Sequence, residues 1–197
     1  MIPEIVSMPV ESFVITRSSF NKITISGKIC TGKTTLLKSL EKKLNWPIFL
    51  TGKIFREYVE KNKLNLEQVE EQNEMLTKKI DYQVRDLIYS PGNLIVDGWM
   101  AGLMANDLPG VLKILLICKD EIRYQRFASR EKINISEAKQ RVEERQSNWL
   151  NKLEKIYKRN DFMDSKNYDL VIDTSNLSSE AVLKKVLSRV IPASASR

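Results

Sequence analysis

The sequence predicts a three-layer α/β protein, a five-stranded parallel sheet with helices on both faces. Two observations carry that expectation. Five short apolar runs alternate along the chain with longer stretches whose apolar residues recur at helical spacing. The first of those runs leads straight into a glycine-rich segment that opens a helix. A chain of 197 residues suits one domain with its own core and a small inserted lobe.

Residues 1–20 read as an N-terminal extension with a strand at 12–16, and residues 21–197 as the domain. A strand is expected over 22–25. A helix follows over 33–44, with Leu36, Leu37, Leu40 and Leu44 on one stripe. A second strand fits 47–50. Helices fit 54–61 and 66–89, the latter opened by Asn65 as N-cap. Ser90-Pro91-Gly92 is a turn. The strand 93–96 ends at Asp97, and 111–118 is another apolar strand. A helix is expected over 121–130. Asn134, with Glu137 three residues on, opens a long charged helix that reaches Tyr157. A strand at 169–172 and a helix at 179–190 close the chain. In such sheets ligands bind beyond the carboxyl ends of the strands.

Composition removes several chemistries. There is no histidine, so His-based acid/base catalysis, Ser-His-Asp hydrolysis and most zinc enzymes are excluded. Cys30 and Cys118 are too few for a disulfide framework. No apolar run approaches the ~20 residues that cross a bilayer, and the first twenty residues do not read as a secretory signal. The expectation is a cytoplasmic monomer with no membrane partner. The net charge of +7 suits an anionic partner, although a merely soluble basic surface reads the same way. Stable nucleic-acid binding is not expected, because the 8% of aromatic residues do not interleave with basic ones.

The segment GKICTGKT comprises Gly27, Lys28, Ile29, Cys30, Thr31, Gly32, Lys33 and Thr34, and matches G-x-x-x-x-G-K-[ST] between a strand and an amphipathic helix. That context makes the domain a P-loop NTPase fold. Loop N–H groups and the helix N-terminus attract phosphate. Lys33 is expected on the β/γ-phosphates of ATP and the Thr34 hydroxyl on Mg²⁺, with Thr35 completing the nucleotide-binding set. Asp97 at the end of LIVD is a second candidate for Mg²⁺, or else an ordinary strand-end cap. Between 121 and 145 lie Arg123, Arg126, Arg130, Arg141 and Arg145. Arg126 and Arg130 share one helix face, as do Arg141 and Arg145. Arginines bind phosphate oxygens in pairs, so the group fits a phosphoryl-transfer site; the same residues among Glu131, Glu137, Glu143 and Glu144 also describe a solvated helix.

In order and spacing, ITISGKICTGKTT, TGKIFRE, LIVDGWMAGLM, RYQRFASRE, EERQ and YDLVIDTS resemble the nucleoside monophosphate kinases, in particular the short cytidylate kinases of archaeal type. The resemblance implies an adenylate-kinase-like fold with an acceptor-binding lobe at 52–90 and a lid at 126–145. It implies transfer from ATP to CMP or dCMP with Mg²⁺, and no partner beyond these small molecules. It places Gly52, Phe55 and Arg56 in the acceptor segment, with Arg56 on the monophosphate, and Asp81 in the helix of that lobe. It makes Arg126 and Arg130 lid arginines beside Lys33 as catalytic groups, and Arg145 an arginine of the helix returning from the lid. Thr174 and Ser175 fall in the loop near the adenine.

The chain departs from the family on one side. Lys53 stands where the family has an aspartate, Trp99 where it has an arginine, Trp149 where it has an acid and Lys152 where it has an arginine. Lys53 is a candidate replacement charge. Trp99 and Trp149 either stack on a base or fill the cleft. Two alternatives stand beside the cytidylate reading: a P-loop kinase for another small acceptor, and a nucleotide-binding module without efficient transfer.

Overall fold

Every residue of KITISG is buried, and the segment forms the middle strand of a five-stranded sheet. The structure is a computed structural model that describes residues 20–63, 74–106 and 108–191. In chain order the elements are β1 (Lys22–Gly27), α1 (Lys33–Leu44), β2 (Ile48–Leu50), α2 (Thr51–Asn62) and α3 (Glu74–Tyr89). Then come β3 (Leu94–Asp97), α4 (Ala101–Met104), β4 (Val111–Ile117), α5 (Asp120–Glu131), α6 (Ile135–Tyr157), β5 (Leu170–Asp173) and α7 (Ser179–Val190). The sheet order is β2-β3-β1-β4-β5, and all four pairings are parallel.

Alternate residues of each strand serve opposite faces. Ile95 of β3, with Ile23, Ile25, Leu112 and Ile114, packs on α1 and α7. Leu94 and Val96 of the same strand, with Val111, pack on α3 and α4. This division yields the three layers expected from the sequence. A third cluster joins α2, α3 and the C-terminal half of α6 around Phe55, Ile80, Trp149 and Leu153.

Chain order reverses around β1, whose neighbours are β3 and β4. Its carboxyl end is therefore the crevice at which such a sheet binds ligands. Gly27 stands there with φ 146°, and a Cβ on it would lie 2.4 Å from the Leu116 carbonyl oxygen. Only glycine lets β1 turn into the loop against β4.

Element bounds moved by small steps: β1 runs to Gly27, and the second helix starts at Thr51. Asn134 caps α6 as expected, accepting from the Glu137 N–H at 2.9 Å. The four-residue helix α4 and a 3-10 turn at Ser165–Asn167 were not expected. The strand at 12–16 and the Asn65 cap lie outside the described residues. No described helix is long and apolar enough to cross a membrane.

Candidate active site

Five successive carbonyls of the glycine-rich loop each receive a side-chain donor. Lys33 Nζ donates to Gly27 O at 2.7 Å and to Lys28 O at 2.9 Å, and the Thr31 hydroxyl adds a bond to Lys28 O at 3.0 Å. Arg123 Nε donates to Ile29 O at 2.7 Å, Arg126 Nη1 to Cys30 O at 3.3 Å, and the Thr174 hydroxyl to Thr31 O at 3.0 Å. A loop whose carbonyls are bonded outward is free to direct N–H groups toward an anion. Gly32 is the N-cap of α1 in a left-handed conformation with no side-chain cap. The first amides of that helix are thus left open to a ligand.

The loop forms one wall of a cleft of about 950 Å³. Thr34 and Thr35 line it beside Lys33, and Asp97 lines it from the end of β3. Lys33 is partly buried, and desolvation pushes its ammonium down to about 8, with Asp97 opposing the shift. Burial likewise pushes the Asp97 carboxyl up, against the nearby Lys33 and a hydrogen bond from the Thr51 N–H. Asp97 Oδ1 is buried without a hydrogen-bond partner. An unpaired buried carboxylate oxygen is costly, so a cation seated there would relieve it. Among the described residues no three His, Cys, Asp or Glu side chains converge on one point. A magnesium ion at Asp97 and Thr34 would thus draw most of its ligands from phosphate and water.

From α2, Gly52 and Arg56 line the same cleft, Arg56 near enough to Asp97 to act on its charge, and Trp99 lines it from the turn after β3. Arg130, Arg141 and Arg145 line it from α5 and α6. Arg130 pairs with its neighbour Glu131 at 2.8 Å and lies against the Phe127 ring. Arg126 sits further toward the end of β5. There Nη2 donates to Thr174 O at 2.7 Å, and Nη1 reaches Thr174 Oγ1 at 3.2 Å and Cys118 Sγ at 3.4 Å. Thr174, Arg126, Thr31, Gly32 and Thr35 also bound an adjoining chamber of about 220 Å³.

Residues 22–176 match the model of the cytidylate kinase-like family. The chain belongs to that family. It is 33% identical over 181 residues to a cytidylate kinase of Methanopyrus kandleri, covering 86% of this chain and 93% of the relative. It is 32% identical over 169 residues to a cytidylate kinase of Saccharolobus islandicus, with 84% and 88% covered. Among solved structures, an uncharacterized protein from Eubacterium ventriosum superposes with a TM-score of 0.65 at 13% identity, covering 86% of this chain and 97% of that one. A gluconokinase from Sinorhizobium meliloti superposes with a TM-score of 0.59 at 10% identity, covering 88% and 93%. These two likenesses concern the fold alone.

Not every residue that the sequence suggested for the site of this cytidylate kinase-like protein faces the cleft. Phe55 is buried in the lobe, edge-on to Trp149 at 5.3 Å. Asp81 is also buried and accepts from the Tyr157 hydroxyl at 2.7 Å; burial raises its carboxyl to about 6. Ser175 ties the end of β5 to the next loop, donating to Asp173 at 2.6 Å and accepting from Lys119 N at 2.9 Å. Lys53 points outward to Glu57 at 3.5 Å, with its side chain 66% exposed. Trp149 is buried beneath Trp99, so of the two readings of that residue the structure takes packing.

Sequence reasoning passed over Thr51, and it named Arg123 only as one of the arginines of a phosphoryl-transfer site. Arg123 is 1% exposed and bonds Ile29 O, Asp120 and Gln146 Oε1, so it fastens the loop to α5 and α6. The available signal was spacing: Arg123, Arg126, Phe127 and Arg130 recur at i, i+3, i+4 and i+7 on one helix face. Thr51 touches both Asp97 and the space beside Gly98, where a Cβ would lie 2.9 Å from its hydroxyl oxygen.

Proposed function

We propose that this protein transfers the γ-phosphate of ATP to a nucleoside monophosphate, with CMP or dCMP as the acceptor. The observation that carries the reading is the single cleft that Lys33, Thr34 and Asp97 line together with Arg56 and the arginines of α5 and α6. The names of the relatives, cytidylate kinase, support the cytidine acceptor. Loop amides and Lys33 would hold the donor phosphates, and the chamber beside Thr174 and Arg126 would take the donor's base. Arg56 would hold the acceptor phosphate as a fork. Arg130 and Arg145 would stabilise charge that spreads over the moving phosphoryl group. A magnesium ion held by Thr34 and Asp97 would supply neutralisation of the phosphate charge. No covalent intermediate is needed, because positioning and charge carry most of such a reaction.

The division into an extension at 1–20, an acceptor lobe at 52–90 and a lid at 126–145 is part of this proposal, as are a monomeric state and a cytoplasmic location. A second reading, a different small acceptor, is favoured by Trp99 standing at the acceptor end where a cation would serve a phosphate. ADP release measured over a panel of nucleoside monophosphates decides between them. Turnover with CMP or dCMP well above the others upholds the first. Turnover with none of them, while ATP still binds, would sink it.

A further inference from the structure

Trp99 is the one indole that lines the cleft, and its surroundings fix how it does so. Trp149 lies beneath it, with ring centroids 6.3 Å apart and planes tilted by 59°. Trp149 is itself buried and braced edge-on by Phe55, the residue before Arg56. Trp99 packs on the lobe cluster around Phe55 and Trp149, and also on the cluster of Ile29, Phe127 and Val142 beside the loop. The preceding Gly98 packs on Thr51, where a Cβ would lie 2.9 Å from the hydroxyl oxygen. A half-buried ring held on both flanks cannot rotate away without disturbing both clusters. Its remaining exposure is to the cleft, and Lys33 Nζ lies 5.9 Å from its centroid. Arg56 and Trp99 thus line the same cleft, and Trp99 packs with Phe55, the residue before Arg56; one is a fork for phosphate and the other a rigid apolar plane.

We propose that Trp99 is the acceptor-specificity residue of this protein, a platform on which the planar ring of a phosphate monoester stacks while Arg56 holds its phosphate. The inference rests on the phosphotransfer reading of the cleft and deepens it. Recognition then draws on ring area at Trp99 instead of a second cation, so the acceptor class is the ring-bearing monophosphates. A sugar phosphate of equal charge without a planar aromatic base, such as ribose 5-phosphate, lacks half of the contact.

Binding in the absence of ATP tests this independently of turnover. The full chain is titrated by calorimetry with CMP, UMP, AMP, GMP and ribose 5-phosphate, in wild type, Trp99→Phe and Trp99→Leu, each first checked by thermal unfolding. At least one ring-bearing monophosphate should bind on the order of tenfold more tightly than ribose 5-phosphate. Trp99→Leu should remove that advantage and leave ribose 5-phosphate unchanged. Trp99→Phe, which keeps a ring and guards against a folding defect in the leucine variant, should retain most of it. Equal binding of ribose 5-phosphate and every ring-bearing compound by the wild type overturns the proposal, as does an undiminished advantage in Trp99→Leu. Ring-dependent binding without ADP release in the kinase assay would keep the platform and reject the phosphotransfer reading.

Discussion

The two ends of the cleft are held by different forces. At the loop end, five consecutive carbonyls are fixed by directional bonds from Lys33, Thr31, Arg123, Arg126 and Thr174. At the acceptor end, Phe55 meets Trp149 edge to face and Trp99 lies tilted against Trp149, and shape does the holding. Directional bonds place atoms to within a few tenths of an ångström, which a transferring phosphate requires. Aromatic packing supplies more burial and less angular control. Substitutions at the loop end should therefore lower turnover, and substitutions at the acceptor end should lower stability and acceptor affinity.

Trp149 should give the largest effect, and on stability. Trp149→Ala empties the centre of the lobe cluster and should cost about 3–5 kcal/mol in chemical denaturation. Its indole N–H is buried with no hydrogen-bond partner. Trp149→Phe removes that unpaired donor along with some volume, so it should stay within about 1.5 kcal/mol of wild type. Equal losses in the two variants would mean that the N–H matters and that the lobe is not held by packing.

Lys33→Ala breaks the other end. Turnover should fall by a factor on the order of 10² or more, about 2.7 kcal/mol, with the fold retained by circular dichroism. Near-normal turnover would remove the glycine-rich loop from the mechanism.

Asp81 joins the lobe helix to the end of α6 through Tyr157, and burial raises its carboxyl to about 6. A carboxyl raised in the folded state binds more protons than its unfolded counterpart. Its contribution to stability is complete below about 3.8 and is lost as pH rises through about 6. Asp81→Asn keeps an oxygen for the Tyr157 hydroxyl and removes the titration. Relative to wild type it should gain roughly 2 kcal/mol between pH 4 and pH 7 in urea unfolding. A constant difference between the two proteins across that range would place the carboxylate in a solvated setting.

Arg126 and Arg130 share a helix face, yet the structure separates them. Arg126 is bonded to Cys30 O and Thr174 O, whereas Arg130 is held by an exposed pair with Glu131 and by contact with the Phe127 ring, weaker ties that leave it able to swing. Arg126→Ala should raise the Kd for ATP about tenfold, and Arg130→Ala should lower kcat about tenfold with ATP affinity kept. Matching losses of kcat alone in both variants would give them one shared lid role.

The loop was legible because all its chemistry is local: eight consecutive residues, a strand before and a helix after. The strands were legible from apolar runs bounded by turns. The bracing role of Arg123 was not, because it comes from Ile29, 94 positions away, and Thr174 meets Thr31 across 143. Phe55 and Asp81 show a second limit. Helical spacing places a residue on a face, but whether that face lines a cleft or a core depends on what packs there, here α6. Helix α4 was missed because four residues are too few to show a period.

The smallest effect expected is at Lys53, and it tests how the acceptor end makes up for the cation absent at Trp99. If Lys53 replaced that charge, its ammonium would have to reach the phosphate beside Arg56. The structure turns it the other way, along the outer face of α2 toward Glu57 one helical turn on, and it does not line the cleft. Both side chains of that pair are more than half exposed, so the pair itself is worth at most about 0.5 kcal/mol. Lys53→Ala should therefore change the acceptor KM by less than about twofold and leave kcat unchanged, measured with whichever monophosphate the panel selects. The same assay on Arg56→Ala should show a loss of roughly 1.5–3 kcal/mol in acceptor binding, the size of a charge-assisted fork. A Lys53→Ala effect approaching that of Arg56→Ala would mean that α2 rotates on binding to bring Lys53 inward, making the acceptor end cationic after all and reducing Trp99 to a wall.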